Sequence, residues 1–325
     1  MNQNTSERNN VLERNLGLDI LGVTEAAAIA ASKWVGRGDK NAGDGSAVDA
    51  MRAAFNQMDF DGIVIIGEGE KDEAPMLFKG EQLGTKKGPK VDVAIDPVEG
   101  TSLLAKGRPN SIATISLAPR GAMFDPGPAF YMKKLAVPHE AAGVVELDMP
   151  VAELLKKVAR ALGKDVRELT VFVLEKERHA EISREIFKAG ARVQSHTDGD
   201  VAGALLAVMP HTGVDLMLGT GGTPEGVLAA TAVKVLGGQI LGRLDPQSDE
   251  EKADVLKAGL SLTKVLGVDD LVKSDDVYFA ATGITTGFLK GVTVDDHKVS
   301  THSVLMHRKL GSVRYVDAVY NLHRL

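Results

Sequence analysis

Two short apolar runs, Gly62-Ile63-Val64-Ile65-Ile66 and Val91-Asp92-Val93-Ala94-Ile95, constrain the fold of this chain more than any other feature. Each has the length and β-branched content of a buried strand rather than of a helix. The first runs straight into Gly67-Glu68-Gly69-Glu70-Lys71-Asp72-Glu73. The second delivers Asp96, the first residue of Asp96-Pro97-Val98-Glu99-Gly100-Thr101, at its C-terminal end. Beyond about residue 150 the pattern alternates: helix Val151–Leu162 stopped by Gly163, strand Leu169–Leu174, helix Arg178–Ala189, strand Ala191–Gln194, helix Val201–Met209, strand Val214–Leu218, and a helix from Pro224 to about Leu236. Such alternation predicts α/β layers with parallel pairing, and a strand-rich stretch over 275–316 makes the sheets mixed. Upstream, residues 1–17 read as a polar arm. Thr24 is placed to cap a helix through Trp34, and Ser46 with Asp49 resembles a capping box for a helix through Met58. A Gly/Pro-rich passage from Arg120 to Pro128 marks loops, and a boundary is expected near residue 168.

Composition narrows the chemistry. There is no Cys, which excludes disulfides, Cys-ligated zinc, iron–sulfur clusters and thiol nucleophiles together. A formal net charge of −6 gives no general attraction to nucleic acid or anionic membrane. No apolar run approaches the ~20 residues that span a bilayer, and the polar start, MNQNTSERNNVLERN, lacks a secretory signal. A soluble, cytoplasmic protein is expected. With one Trp and four Tyr the core must be mostly aliphatic.

Acids set among glycines recur along the chain: Asp44 in Gly43-Asp44-Gly45 before a helix, the Glu68 to Glu73 cluster, Asp96 with Glu99, Asp198 and Asp200 around Gly199, and Glu225 after Gly221-Gly222-Thr223-Pro224. One acid beside glycine is ordinarily a turn. Five such places, two directly behind apolar strands, point to a site at the strand ends. Two carboxylates ~4 Å apart repel by ~4 kcal/mol at an effective dielectric near 20, so a converging set needs cations. Hard oxygen ligands without Cys or clustered His favour Mg²⁺ or Mn²⁺. Pro97 fixes a turn from which Asp96 and Glu99 can address neighbouring cations, Gly100 lets the backbone approach a phosphate, and the Thr101 hydroxyl can orient a water. Glu70 and Glu73 read equally as rim charges or as supporting partners. No Gly-x-x-x-x-Gly-Lys-Ser/Thr is present; Gly219-Thr220-Gly221-Gly222-Thr223-Pro224 puts Pro224 at the third glycine of a dinucleotide fingerprint, and Gly67-Glu68-Gly69 puts acids where a pyrophosphate must lie. The eight His are scattered and are assigned to surface or core.

Trp34-Val35-Gly36-Arg37-Gly38-Asp39-Lys40-Asn41, Ile66-Gly67-Glu68-Gly69-Glu70, Asp72-Glu73-Ala74-Pro75-Met76-Leu77 and Asp96-Pro97-Val98-Glu99-Gly100-Thr101 resemble class II fructose-1,6-bisphosphatase, within the lithium-sensitive metal-dependent sugar phosphatases. So do Asp198-Gly199-Asp200-Val201-Ala202, Gly221-Gly222-Thr223-Pro224-Glu225-Gly226 and Ala281-Thr282-Gly283-Ile284-Thr285, collinear from about residue 18 to 320. The resemblance implies a layered α-β-α-β-α sandwich with mixed sheets. Residues 1–168 would form a metal-site subdomain and 169–325 a substrate-binding subdomain, packed as one catalytic unit. It implies removal of the 1-phosphate of fructose 1,6-bisphosphate with two or more Mg²⁺ or Mn²⁺ per site. Asp44 and Glu68 would hold one metal, and Asp96, Glu99 and Glu225 a second. Thr101 would position the water, with Lys40 and Asp72 near the catalytic centre. Substrate contacts would come from Glu99, Gly100, Thr101, Tyr131, Lys176, Arg178, Asp198, Gly199, Asp200 and Gly222. The expected partners are a sugar bisphosphate and further copies of the chain, as a dimer or tetramer.

Other readings coexist with these roles. Lys176 and Arg178 alone read as a solvated run in Glu175-Lys176-Glu177-Arg178, where Glu177 replaces the Pro of the family pattern. Tyr131 alone reads as core packing, and Asp198 and Asp200 as helix caps. Alternatives to the implied activity are a dual fructose-1,6-/sedoheptulose-1,7-bisphosphatase, an inositol or nucleotide phosphatase of the same superfamily, and a non-catalytic sugar-phosphate-binding protein.

Overall fold

The computed structural model describes residues 16–68 and 77–321. Helices α1 (Leu16–Ser32) and α2 (Lys40–Phe55) precede β1 (Asp61–Ile66), β2 (Gln82–Leu83), β3 (Lys90–Glu99), the short α3 (Thr101–Ala105) and β4 (Ile112–Pro119). There follow β5 (Tyr131–Val137), α4 (Val151–Leu162), β6 (Thr170–Leu174), α5 (Ala180–Ala189), β7 (Arg192–His196), α6 (Asp200–Val208), β8 (Leu216–Gly222), α7 (Thr223–Leu236), β9 (Gln239–Leu244), α8 (Asp249–Lys257) and α9 (Val268–Leu271). The chain ends in β10 (Tyr278–Gly283), β11 (Thr293–Asp295), β12 (Lys298–His307) and β13 (Ser312–Asn321). Phe124–Lys273 form one unit, and the described residues on both sides of that segment form the other. The boundary expected near 168 falls inside the continuous unit, because β10–β13 return to the sheet begun by β1–β4, a long-range pairing that no local pattern marks.

In the first unit the strand order is β11-β12-β10-β4-β3-β1-β2, with β13 on the far edge of β12. Among the described strands of this unit only β1 and β3 run parallel; the other pairs are antiparallel. Helix α1 lays Ile20, Leu21, Ala27, Ala28 and Ala31 into a core shared with Val93, Ile95, Ile115 and Leu305. The second unit carries a five-stranded sheet ordered β7-β6-β8-β5-β9. Strand β6 is parallel to β7 and β8, whereas β5 is antiparallel to β8 and β9. Helix α4 buries Leu154, Leu155 and Val158 against Val171, Val173 and Leu216. Both units are therefore α/β with a mixed sheet, the class that strand–helix alternation predicts.

Two predicted helix starts are corrected. Thr24 does not cap α1 but sits buried in its middle, donating its hydroxyl to the Leu21 carbonyl (2.9 Å) and meeting the Thr282 hydroxyl at 2.8 Å. Helix α2 begins at Lys40 rather than near Ser46; its cap is Asp39, whose carboxylate accepts from the Ala42 amide at 2.9 Å. Gly43 and Gly45, which read as loop, are inside the helix. Gly43 is there for space, since a Cβ would stand 2.6 Å from Leu104 Cδ2 of α3.

Beneath α1 runs a buried polar network that ties the helix to the last strands. Glu25 accepts from the Thr301 hydroxyl (3.0 Å), the Ser303 hydroxyl (3.5 Å) and the Tyr320 hydroxyl. Burial, with Glu25 adjacent, raises the Tyr320 hydroxyl above the usual phenol range, so it stays a donor at every physiological pH. A buried carboxylate that loses a donor retains the desolvation penalty. Tyr320→Phe should therefore lower the unfolding free energy by about 1–2 kcal/mol in urea denaturation; an unchanged midpoint would place this contact outside the stability of the fold.

Candidate active site

The first unit brings its acids to one edge by register. Strands β1 and β3 are parallel, with a register shift between Val64 and Ile66 that sets Ile66 opposite Ala94, so Glu68, just past the end of β1, and Asp96, within β3, each follow two residues beyond that pair. Neighbouring strands lie about 4.8 Å apart. Between Asp96 and Glu99 the pairing of β3 with β4 shifts, from Asp96 opposite Thr114 to Glu99 opposite Ile112. Asp96 accepts from the Val98 amide at 3.1 Å, which closes the turn through Pro97. Glu99 is buried, and its carbonyl accepts from the Ser111 hydroxyl at 3.3 Å. Gly100 adopts φ +83°, a left-handed conformation that redirects the chain into α3, and Thr101 opens that helix half-buried.

Helix α2 is clamped against α3. The Gly36 amide donates to the Leu104 carbonyl and the Gly38 amide to the Ala105 carbonyl, both at 2.9 Å. With the Gly43–Leu104 approach, these bonds hold the first turns of α2 beside α3. Asp44 thus projects from a helix flank rather than from a loop ahead of it, and Lys40 is exposed in the first turn. Burial pushes the Asp44 carboxyl up to about 6. Asp72, with Glu70 and Glu73, lies outside the described residues.

The second unit gathers its own set around β5 and β8, where Tyr131 is opposite Gly222 and Lys134 opposite Gly219. Lys134 is buried; its ammonium pairs with the Asp200 carboxylate and donates to the Gly222 carbonyl at 2.5 Å. The Glu225 carboxylate folds back over Gly222 and occupies the place a Cβ would take. Burial raises Glu225 above the usual carboxylate range, with Lys134 opposing that shift and Asp200 adding to it. Three buried oxygens here, Asp200 Oδ1, Thr223 Oγ1 and Glu225 Oε2, find no hydrogen-bond donor among the described residues. Gly199 turns the chain into α6 at φ +98°, and Asp198 accepts from its amide at 3.2 Å.

Nearby, Arg178 donates from Nε and Nη2 to the Thr220 carbonyl at 3.0 and 2.8 Å, and its guanidinium lies 5.2 Å from the Tyr131 ring centroid. His179 beneath it accepts from the Thr220 amide at Nε2 (2.8 Å) and donates from Nδ1 to the Leu174 carbonyl (2.8 Å). Burial lowers its pKa, so it is a neutral core histidine. Lys176 and Glu177 are exposed at the start of a 3₁₀ turn spanning Glu177–His179. In the first unit, then, Lys40, Asp44, Glu68, Asp96, Glu99, Gly100 and Thr101 belong to the strand ends of β1 and β3 and the paired helices α2 and α3. In the second, Tyr131, Arg178, Asp198, Gly199, Asp200, Gly222 and Glu225 surround the β5–β8 register, while Lys176 stands in solvent.

Among the described residues no three Asp, Glu or His side chains form a ready metal cage. Each unit's acids, taken separately, nonetheless suit a hard divalent cation. Their donors are all oxygen, burial has lifted Asp44 in the first unit and Glu225 in the second off their normal range, and Glu225 Oε2 is a buried acceptor with no donor among the described residues.

Comparison with known proteins fits this chemistry. A family described as bacterial fructose-1,6-bisphosphatase, glpX-encoded, matches residues 14–320. The fructose-1,6-bisphosphatase 1 class 2 of Escherichia coli K12 is 42% identical, over 96% of this chain and 97% of its own. The class 2 enzymes of E. coli O6:H1 and Shigella flexneri match to the same extent. A match along nearly the whole chain makes this a phosphatase of a metal-dependent family. The chain belongs to the class II fructose-1,6-bisphosphatase family.

Two residues central to the second unit's set escaped the sequence reading. Lys134 carried a signal, because it occupies an inward position of an apolar strand, between Met132 and Ala136. Glu251 carried none: three residues after the Ser248 cap, it looks like an ordinary capping acid. Yet its carboxylate accepts from the Phe130 (2.9 Å), Tyr131 (3.0 Å) and Gln247 (2.8 Å) amides, fixing the start of β5.

Removing one member of a buried ion pair strands the other. Lys134→Met should lower stability by about 3–5 kcal/mol in chemical denaturation, and adding Asp200→Leu should restore part of the loss; a loss that the second change only deepens would show that the pair does not act as a unit. A second outcome follows from Asp44. Because its folded pKa is raised from the usual ~3.9 to about 6, the native state loses stability as pH climbs between those values. In chelator-treated protein Asp44→Asn should exceed wild type in stability by about 2 kcal/mol at pH 7, allowing for partial solvent screening. The gap should close near pH 4, and parallel stability curves from pH 4 to 7 would contradict the burial of this carboxylate.

Proposed function

We propose that this protein hydrolyses the 1-phosphate of fructose 1,6-bisphosphate to fructose 6-phosphate and phosphate, a step of gluconeogenesis, in the cytoplasm. The observation that carries the reading is the pairing of Ile66 with Ala94, which sets an acid two residues on from each, in a chain matched along residues 14–320 by the bisphosphatase family. The relatives' names specify the substrate, and the geometry supplies groups suited to it.

Asp44, Glu68, Asp96, Glu99 and Glu225 are the proposed ligands for two or more divalent cations, Mg²⁺ or Mn²⁺. Bound cations would neutralise the phosphate and make water a stronger nucleophile. Thr101, at the first position of α3, is proposed to orient that water toward phosphorus through its hydroxyl, and the Gly100 and Thr101 amides to receive phosphate oxygens at the helix entrance. Glu99 is proposed to contact the substrate as well, with Lys40 and Asp72 close to the reacting phosphate. In the net reaction water adds to phosphorus, the P–O1 bond breaks, and the sugar oxygen leaves with a proton.

The other end of the sugar is proposed to lie against Tyr131, Asp198, Gly199, Asp200 and Gly222, with Arg178 and Lys176 as cations for the distal phosphate. Arg178, stacked over Tyr131 and anchored on Thr220, is preorganised for that role; Lys176 is free to swing in.

The test is phosphate release from fructose 1,6-bisphosphate, sedoheptulose 1,7-bisphosphate, inositol phosphate and a nucleotide, with Mg²⁺, Mn²⁺ or chelator. Metal-dependent release from fructose 1,6-bisphosphate is expected to exceed that from inositol phosphate and the nucleotide, and full turnover in excess chelator would reject the reading. Thr101→Ala should lower kcat about 10²-fold with little change in KM; a raised KM with normal kcat would remove the water-orienting role.

A further inference from the structure

Glu68 leaves the end of β1, and Leu77 returns to meet it: the Glu68 amide donates to the Leu77 carbonyl at 2.9 Å. The approach is so close that a Cβ on Gly67 would collide with that carbonyl oxygen. Leu77 is fully buried and holds φ +59°, a left-handed conformation that a branched side chain adopts only where its surroundings impose it. Glu81 supplies the imposing contact. Its Oε2 accepts from the Leu77 amide, which thus finds its acceptor in a side chain rather than in a strand partner. Its Oε1 lies 2.5 Å from Nε of Arg52 on α2, a contact of charge rather than of an aligned hydrogen bond. Glu81 is itself buried, and its carbonyl accepts from the Val64 amide of β1 at 2.9 Å, so the side chain starts from a fixed point.

We propose that Glu81, braced by Arg52, is a positioning residue for the hydrolysis: through Leu77 it sets where Glu68 stands relative to Asp44. This rests on the reading of Asp44 and Glu68 as ligands of one cation. The two acids come from different elements, Asp44 from α2 and Glu68 from the chain after β1, and the Arg52–Glu81 pair ties those same elements together. An apolar side chain would fill the space of Glu81 as well. Only an acceptor can hold the Leu77 amide, and only an anion can also meet Arg52. Mg²⁺ demands near-ideal geometry at about 2.0–2.1 Å, so its ligands must be held to within about 0.5 Å. Groups that orient ligands in this way are worth roughly 10–100-fold in metal affinity.

Mn²⁺ binding by the full chain, followed as loss of the free-ion EPR signal, tests this beside phosphate release. Glu81→Ala is expected to weaken Mn²⁺ about tenfold, and to leave the KM for fructose 1,6-bisphosphate unchanged once Mn²⁺ is saturating. Glu81→Gln, which keeps an oxygen for the Leu77 amide, should recover part of that loss. A folded Glu81→Ala with wild-type Mn²⁺ affinity, or a Glu81→Gln no better than Glu81→Ala, would overturn the proposal. Asp44→Asn separates it from the reading beneath it. Weakened binding in Asp44→Asn beside unchanged binding in Glu81→Ala removes the positioning role alone, whereas wild-type binding in Asp44→Asn removes the ligand assignment and this proposal with it. Should Glu81→Ala not fold, Arg52→Ala decides: weaker Mn²⁺ binding, partly recovered in Arg52→Lys, supports the brace, and unchanged binding overturns it.

Discussion

Residues at matching distances beyond a parallel pair are brought alongside one another by the pairing itself. In the first unit Ile66 of β1 lies opposite Ala94 of β3, and two residues on from each is an acid, Glu68 past the end of β1 and Asp96 farther along β3. The sheet that makes the fold stable thereby forces like charges onto one edge. Neutralisation by protons is available only partway: burial lifts Asp44 to about 6, which leaves it mostly ionised at neutral pH. A divalent cation relieves the same repulsion without a change of pH, and the oxygen-only donor set selects hard ions. The acids this register brings together are thus of the kind a divalent cation suits.

The second unit faces the same problem with a different answer. Asp200 and Glu225 are brought close by the glycine-lined turn at the end of β8, and Lys134 enters from β5 as a tethered cation. One ammonium serves two carboxylates and the Gly222 carbonyl, so compensation is incomplete and buried acceptors remain on Asp200 and Glu225. A group with this leftover demand is poised for an external cation or hydrogen-bond donor, while Lys134 keeps it from collapsing when none is bound. Glu251, by holding the first amides of β5, fixes the register on which the arrangement depends.

What sequence reasoning could see follows from how local each cause is. Helix α4 was legible to the residue, because its amphipathic spacing and the left-handed Gly163 that ends it are both local. The strands behind Glu68 and Asp96 were legible for the same reason. Thr24 and Ser46 misled, because a hydroxyl that bonds back within its own helix has the same letter as one that caps it. Asp44 looked like a loop residue because its flanking glycines signal a turn, whereas Gly43 answers to Leu104, some sixty positions away. Lys134, Glu251 and the division of the chain into units rest on partners of that long-range kind.

The same long reach explains why β13 can be an edge without being loose. Glu25, near the start of the described chain, takes hydroxyl donors from β12 and from Tyr320 of β13, residues 276 and 295 positions distant in the case of Thr301 and Tyr320. Closing such loops is entropically slow, but once closed each bond satisfies a buried carboxylate whose exposure to a dry core is otherwise unfavourable. The inner face of the strand is therefore pinned by polar contacts that water cannot replace, and Tyr315 on the outer face is steadied by stacking against His302 with ring centroids 5.9 Å apart.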